Sequence, residues 1–216
     1  MTKVVVYTVI TGAYEWLYPA AFPGICLADR DLEPTGGWKI RKIGSMDPDP
    51  RRASRHPKMM PHKYFPNTEF TIYLDANVQL LRSPTDVIKD LLRGKNMALF
   101  PHPERSCIYQ EAKKCLEYKK ADPDQVSEQL KFYREQDFPT EFGLTACWVI
   151  VRRNTAKVQQ FGEAWWALYS RFSRRDQLSF DFIRWQTGMK YSAIPGNLFK
   201  GSSKYFQRGK HIRRKA

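Results

Sequence analysis

Asp75 and Asn77 stand two residues apart at the end of Phe70-Thr71-Ile72-Tyr73-Leu74, an apolar run of β-favouring residues. On an extended backbone, side chains two apart point to the same side, so one divalent ion can touch both oxygen-bearing groups. Such hard ligands suit Mg2+ or Mn2+, which would bridge the protein to a diphosphate rather than sit in a cage of protein ligands alone. The competing expectation is a plain turn after a strand, because Asp and Asn are common turn residues. Asp176 and Gln177, within Arg174-Arg175-Asp176-Gln177-Leu178-Ser179, place a carboxylate and an amide at a predicted helix start. Asp176 can be an N-cap there, or with Gln177 it can orient a sugar and stabilise oxocarbenium-like charge. His211 is the one histidine of the basic C-terminal segment. Alone it reads as a solvated bystander, but imidazole suits Mn2+ as a third ligand beside Asp75 and Asn77.

Lys and Arg number 36 against 22 acids, a formal charge of +14 that favours anionic partners such as nucleotides, nucleic acid or acidic lipid. Lys200 to Ala216 holds seven basic residues and no acid, and a second cluster, Arg51, Arg52, Arg55, Lys58 and Lys63, lies far upstream. Brought together, the two would frame an anion pocket. With aromatics interleaved, as in Lys204-Tyr205-Phe206-Gln207-Arg208, the same charge admits a nucleic-acid-binding or nuclease domain. No nucleic-acid motif or recognition helix accompanies it, so nucleic acid is not the expected partner. His56, His62 and His102 each neighbour a proline; His102 is a candidate acceptor-site residue and the other two read as surface. Cys26, Cys107, Cys115 and Cys147 lack CxxC spacing, which argues against structural zinc and a disulfide framework.

The elements that must position these groups read as alternating strands and helices. Val4 to Ile10, Ile25 to Ala28, Trp38 to Ile43, the Phe70 run, Met97 to Phe100, Thr145 to Val151 and Tyr191 to Ile194 are strand-like. Residues 45 to 57, rich in Pro, Asp and Arg, read as an exposed loop before a helix around Lys58 to Tyr64. Ser83-Pro84 with Asp86, and Asp122-Pro123, are helix starts. Ile108 to Leu116, the stretch from Asn154 through Leu168, and about Arg175 to Thr187 carry helical spacing. The pattern predicts an α/β sandwich with a mostly parallel sheet. At 216 residues and 42% hydrophobic, the chain suits one domain, 1–216, with a sizeable core. No stretch approaches the roughly 20 apolar residues of a membrane span, and a soluble cytoplasmic protein, or one working at a membrane surface, is expected. The basic end is expected to continue into further domains of a longer polypeptide.

In order along the chain, Tyr7-Thr8-Val9-Ile10-Thr11-Gly12-Ala13-Tyr14, His56-Pro57-Lys58, Tyr73-Leu74-Asp75-Ala76-Asn77, Cys107-Ile108-Tyr109-Gln110-Glu111-Ala112, Arg175-Asp176-Gln177-Leu178-Ser179-Phe180 and Gly209-Lys210-His211 together resemble nucleotide-sugar glycosyltransferases of the GT-A fold. Within these they are most similar to the glycosyltransferase-like domains of plant mucilage-synthesis and ceramidase-named proteins and of chlorella-virus capsid glycosylation. The resemblance implies a UDP-sugar donor of hexose or deoxyhexose type, a glycan or glycoprotein acceptor, Mn2+ or Mg2+, and a retaining outcome. It implies that Asp75, Asn77 and His211 hold the metal. Thr8, Ile10, Thr11, Gly12 and Tyr14 would face the nucleotide, while Arg55, Lys58, Asp75 and Lys210 face its diphosphate and Asp176-Gln177 the transferred sugar. The tail from about 200 to 216 would fold over the donor site. Asn77 departs from the common Asp-x-Asp pattern; its neutral amide ligates without contributing charge, which leaves room for a catalytically silent sugar-binding domain.

Overall fold

The computed structural model describes residues 3–12, 17–33, 35–45 and 47–209. Strands β1 (Val4–Ile10), β2 (Gly24–Ala28) and β3 (Trp38–Lys42) lead into helices α1 (Pro50–Met59) and α2 (Pro61–Tyr64). Next come β4 (Phe70–Leu74), β5 (Val78–Leu80), α3 (Pro84–Leu92), β6 (Met97–Pro101), α4 (Ile108–Glu117) and α5 (Pro123–Glu135). The remainder is β7 (Thr145–Arg153), α6 (Ala156–Arg171), α7 (Gln177–Thr187), β8 (Ser192–Ala193) and β9 (Phe206–Arg208). Seven strands form the central sheet in the order β3-β2-β1-β4-β7-β6-β8, all parallel to their neighbours except β7, which runs antiparallel to β4 and β6. This is the expected mostly parallel α/β sheet.

The β1 run is apolar apart from the Tyr7 and Thr8 hydroxyls because both faces of the sheet are covered. Tyr7 and Val9 join a core shared with α1, α4, α5, α6 and α7, while Val6 and Ile10 face the opposite core, filled by α3 and a small β5–β9 sheet. That small sheet pairs Val78 with Arg208 and continues into Asn77, whose carbonyl accepts from Gly209 N at 2.8 Å.

Residues 50 to 57 are helix rather than loop. Asp49 caps α1 by accepting from Arg51 N, and Pro50 occupies its first turn, where a missing N–H costs nothing. The helix lacks an apolar stripe because much of its buried face is polar: Ser54, His56 and Lys58 lie there beside Pro57. His56, expected at the surface, is buried, with Nδ1 2.6 Å from the Tyr64 hydroxyl and its ring edge-on to Trp166. Helix α6 can pass this close only because Gly162 has no side chain: a Cβ there would lie 2.4 Å from Met59 O.

Candidate active site

The carboxyl ends of β1, β2, β4 and β6 share one edge of the sheet with the start of β7. A cavity of about 610 Å3 opens along this edge, within the range of roughly 300–1,000 Å3 usual for small-molecule sites. Ligands of open α/β sheets bind outside such strand ends. Helix α1 contributes Ser54, Arg55 and Lys58 to the wall, the end of β4 contributes Asp75 and Asn77, and the start of α7 contributes Arg175, Asp176 and Gln177.

Lys58 is buried to 2% side-chain exposure, with Nζ 2.6 Å from Asp176 Oδ2 and 3.4 Å from Asp75 Oδ1. Its ammonium also lies 4.8 Å from the centre of the Tyr73 ring. Its backbone is fixed from below. Tyr7 donates its hydroxyl to Pro57 O at 3.1 Å, and buried Arg152 donates to Lys58 O and to the Tyr7 hydroxyl, each at 2.8 Å. A guanidinium at the carboxyl end of α1 also complements the helix dipole. Burial pushes the Tyr7 phenol up to about 12 against the lowering pull of Arg152.

Val78 N donates to Asp75 O at 2.8 Å, so Asp75 to Val78 is a turn rather than an extended strand end. The turn nevertheless leaves both Asp75 and Asn77 on the cavity wall. Asp75 Oδ1 accepts from the Tyr73 hydroxyl at 2.8 Å. Asn77 Nδ2 donates to Gly209 O at 3.3 Å, which assigns the amide oxygen as the group left to ligate. These two residues offer one carboxylate and one amide oxygen. Among the described residues no three His, Cys, Asp or Glu side chains gather to hold an ion by themselves. This donor set fits Mg2+ or Mn2+ in a shell completed by diphosphate oxygens.

Asp176 is both a cap and an ion-pair partner. Its Oδ1 accepts from Gln177 N at 3.1 Å, while Oδ2 takes Lys58 and lies 3.2 Å from Arg55 Nε, an ion pair without hydrogen-bond alignment. Burial alone would raise this carboxyl; Lys58, Arg55 and Arg175 outweigh it and hold Asp176 well below the usual carboxylate range. Asp176 is therefore ionised. Beside it, Gln177 Nε2 and Arg175 Nε are buried donors with no acceptor among the described residues.

Ile10 and Thr11 also reach the wall, and Thr11 donates its hydroxyl to Pro50 O at 2.5 Å, tying the β1 end to α1. Thr8 is fully buried, and neither it nor Gly12 lines the cavity. Gly12 turns with φ +59° and donates to Asp29 Oδ2 at 2.8 Å. Arg52 and Lys63 pair elsewhere, with Asp47 and Glu163. Tyr14, Lys210 and His211 lie outside the described residues, as does the tail beyond Gly209. Sequence reasoning missed Arg152, Trp148, Arg105 and Phe199. A phenol inside the apolar run Val4–Ile10 does signal a buried hydrogen-bond partner, though not which residue supplies it.

A model of the family described as TOD1/MUCI70, glycosyltransferase-like domain, matches residues 27–206. The Arabidopsis thaliana protein named alkaline ceramidase TOD1 is 30% identical over 165 residues, covering 69% of this chain and 35% of that protein. The Arabidopsis thaliana probable hexosyltransferase MUCI70 is 26% identical over 160 residues, covering 69% of this chain and 28% of its own length. The chain thus spans about a third of the curated relatives it matches. Among solved structures, apo mouse xyloside xylosyltransferase 1 superposes with a TM-score of 0.50 at 11% identity, over 88% of this chain and 84% of that one, a likeness of fold.

Proposed function

The chain belongs to the TOD1/MUCI70 glycosyltransferase-like domain family, and on that premise we propose that it transfers a hexose or deoxyhexose from a UDP-sugar to a glycan or glycoprotein acceptor. The observation that carries the reading is the meeting of Asp75, Lys58 and Asp176 in one cavity at the carboxyl edge of the sheet. The hexosyltransferase name of one relative supports the sugar class.

Asp75 and Asn77 are the proposed ligands of Mn2+ or Mg2+. His211 is proposed as a third, because the chain reaches Asn77 at Gly209, two residues before it. The ion would supply positive charge to the departing diphosphate. Lys58 and Arg55 add fixed positive charge at the same place, and Asp176 keeps both cations in position rather than acting as an acid, since it is already ionised. Gln177 Nε2, a buried donor without an acceptor among the described residues, suits a hydroxyl of the transferred sugar.

Among the described residues, each of the three carboxylates lining the cavity is bonded to a cation: Asp75 and Asp176 to Lys58, and Glu111 to Arg105. This supports retention without a separate protein base. The anomeric bond to UDP breaks, the acceptor oxygen bonds to the same face, and its proton passes to the leaving phosphate oxygen.

Calorimetric titration of UDP with Mn2+ and with chelator, on wild type and Asp75→Ala, tests the reading. Metal-dependent binding that Asp75→Ala abolishes is expected, followed by turnover of a UDP-hexose. No UDP binding in either condition refutes it.

A further inference from the structure

The cavity carries more positive charge than a donor needs. Among the described residues its lining includes nine Lys and Arg against three Asp and Glu. A UDP-sugar has one negative charge on each of its two phosphates, and a bound divalent ion alone offsets both. The surplus sits partly at the end away from the nucleotide. Strand order along the edge runs from β2 and β1 through β4 to β7 and β6, so the segment after β6, from His102 to Lys120, faces the far half. There Lys119 and Lys120 line the cavity, while Arg208 lines it next to Val78, and none of the three pairs with a carboxylate of the described residues.

Two further observations mark this half as built for a ligand. Among the described residues the exposed large apolar side chains are Leu81, Leu116, Tyr118 and Phe199, and two of these four, Tyr118 and Phe199, line the cavity. Each ring carries a cation: Lys120 Nζ lies 4.9 Å from the Tyr118 centroid, and the Arg208 guanidinium 4.3 Å from that of Phe199. Lys119 also holds φ +52° just past the end of α4, a left-handed position where glycine folds more easily.

We infer that the acceptor is an acidic glycan, its sugar rings lying on Tyr118 and Phe199 and its carboxylate or sulfate meeting Lys119 and Lys120. The inference rests on the sugar-transfer reading above and specifies its acceptor.

The test is calorimetry on the full chain, with and without saturating UDP and Mn2+, at fixed ionic strength. The probes are a hexuronic-acid trisaccharide, its carboxyl-reduced counterpart, and that neutral counterpart bearing a sulfate ester. The carboxylated probe should bind at least about tenfold tighter than the reduced one. Lys119→Gly and Lys120→Gln should each weaken it severalfold while UDP affinity is unchanged, and Lys119→Gly should melt no lower than wild type. Lys157→Gln, on a different face at the start of α6, should change nothing. Tightest binding of the sulfated probe, with the same variant pattern, upholds the anionic acceptor and assigns sulfate as the anion. Equal binding of charged and reduced probes overturns the inference, as does a loss in Lys157→Gln matching that in Lys119→Gly. Failure of UDP to bind refutes the donor site instead, and the titration without UDP still decides the acceptor's charge.

Discussion

Lys58 and Asp176, 118 residues apart in sequence, form a buried ion pair with Nζ 2.6 Å from Oδ2. Neither group has water to fall back on, so the pair is worth more as a constraint than as a source of stability. Replacing both with apolar residues of matching shape can be nearly neutral, whereas removing one strands the other. Asp176→Asn keeps the size of the side chain, leaving Lys58 only its longer 3.4 Å contact with Asp75 and Arg55 without its carboxylate partner. The expected loss is about 3–5 kcal/mol, read as a fall in denaturation midpoint at unchanged m-value. A loss below about 1 kcal/mol would show the pair to be solvated.

The pH dependence of that loss has a defined sign. Burial raises the Asp176 carboxyl, but Lys58, Arg55 and Arg175 bring its folded value below the unfolded one. A depressed carboxylate stabilises the fold above its unfolded value, about 3.9, and the stabilisation is lost as pH falls through the folded value. The stability gap between wild type and Asp176→Asn should therefore stay constant from pH 7 to about pH 4 and narrow only below it. Urea melts across this range check it; a gap that closes between pH 7 and pH 5 contradicts the ionised assignment.

Tyr7→Phe isolates the support beneath Lys58. The phenol donates to Pro57 O and accepts from Arg152, and its removal leaves a buried carbonyl and a buried guanidinium each short of one partner. The expected cost is about 1–3 kcal/mol. Because α1 carries Arg55 and Lys58, UDP affinity should fall as well, and calorimetry alongside the melt measures both.

The strands of this protein are legible because they are buried on both faces and read as apolar runs, as Val4–Ile10 and Phe70–Leu74 do. The helix caps at Ser83 and Asp122 are legible because a local side chain bonds a local N–H. Helix α1 is not, because its buried face is built from Ser54, His56 and Lys58 to serve the cavity, and Pro57 lies inside it. The β5–β9 pairing is equally hidden: each strand is three residues long, and Val78 meets Arg208 only through the closed fold. At the site, Asp75, Asn77, Asp176 and Lys58 can be picked out by residue type and neighbours. That one ammonium joins two of the carboxylates is a property of long-range packing, which no spacing encodes.

Asn77 decides how the site would hold its ion. Its Nδ2 donates to Gly209 O at 3.3 Å, a bond that an aspartate cannot make. Asn77→Asp restores a second carboxylate beside Asp75 and should raise Mn2+ affinity about tenfold, since charge count among oxygen ligands sets affinity for hard cations. The same change sets a carboxylate oxygen against the Gly209 carbonyl, at a cost of about 1–3 kcal/mol without metal. The variant should therefore melt below wild type with chelator and recover with Mn2+, the tenfold gain offsetting about 1.4 kcal/mol of that cost. A variant that is destabilised equally in both conditions would place the ion away from Asn77 and leave Asp75 as the sole ligand of the pair.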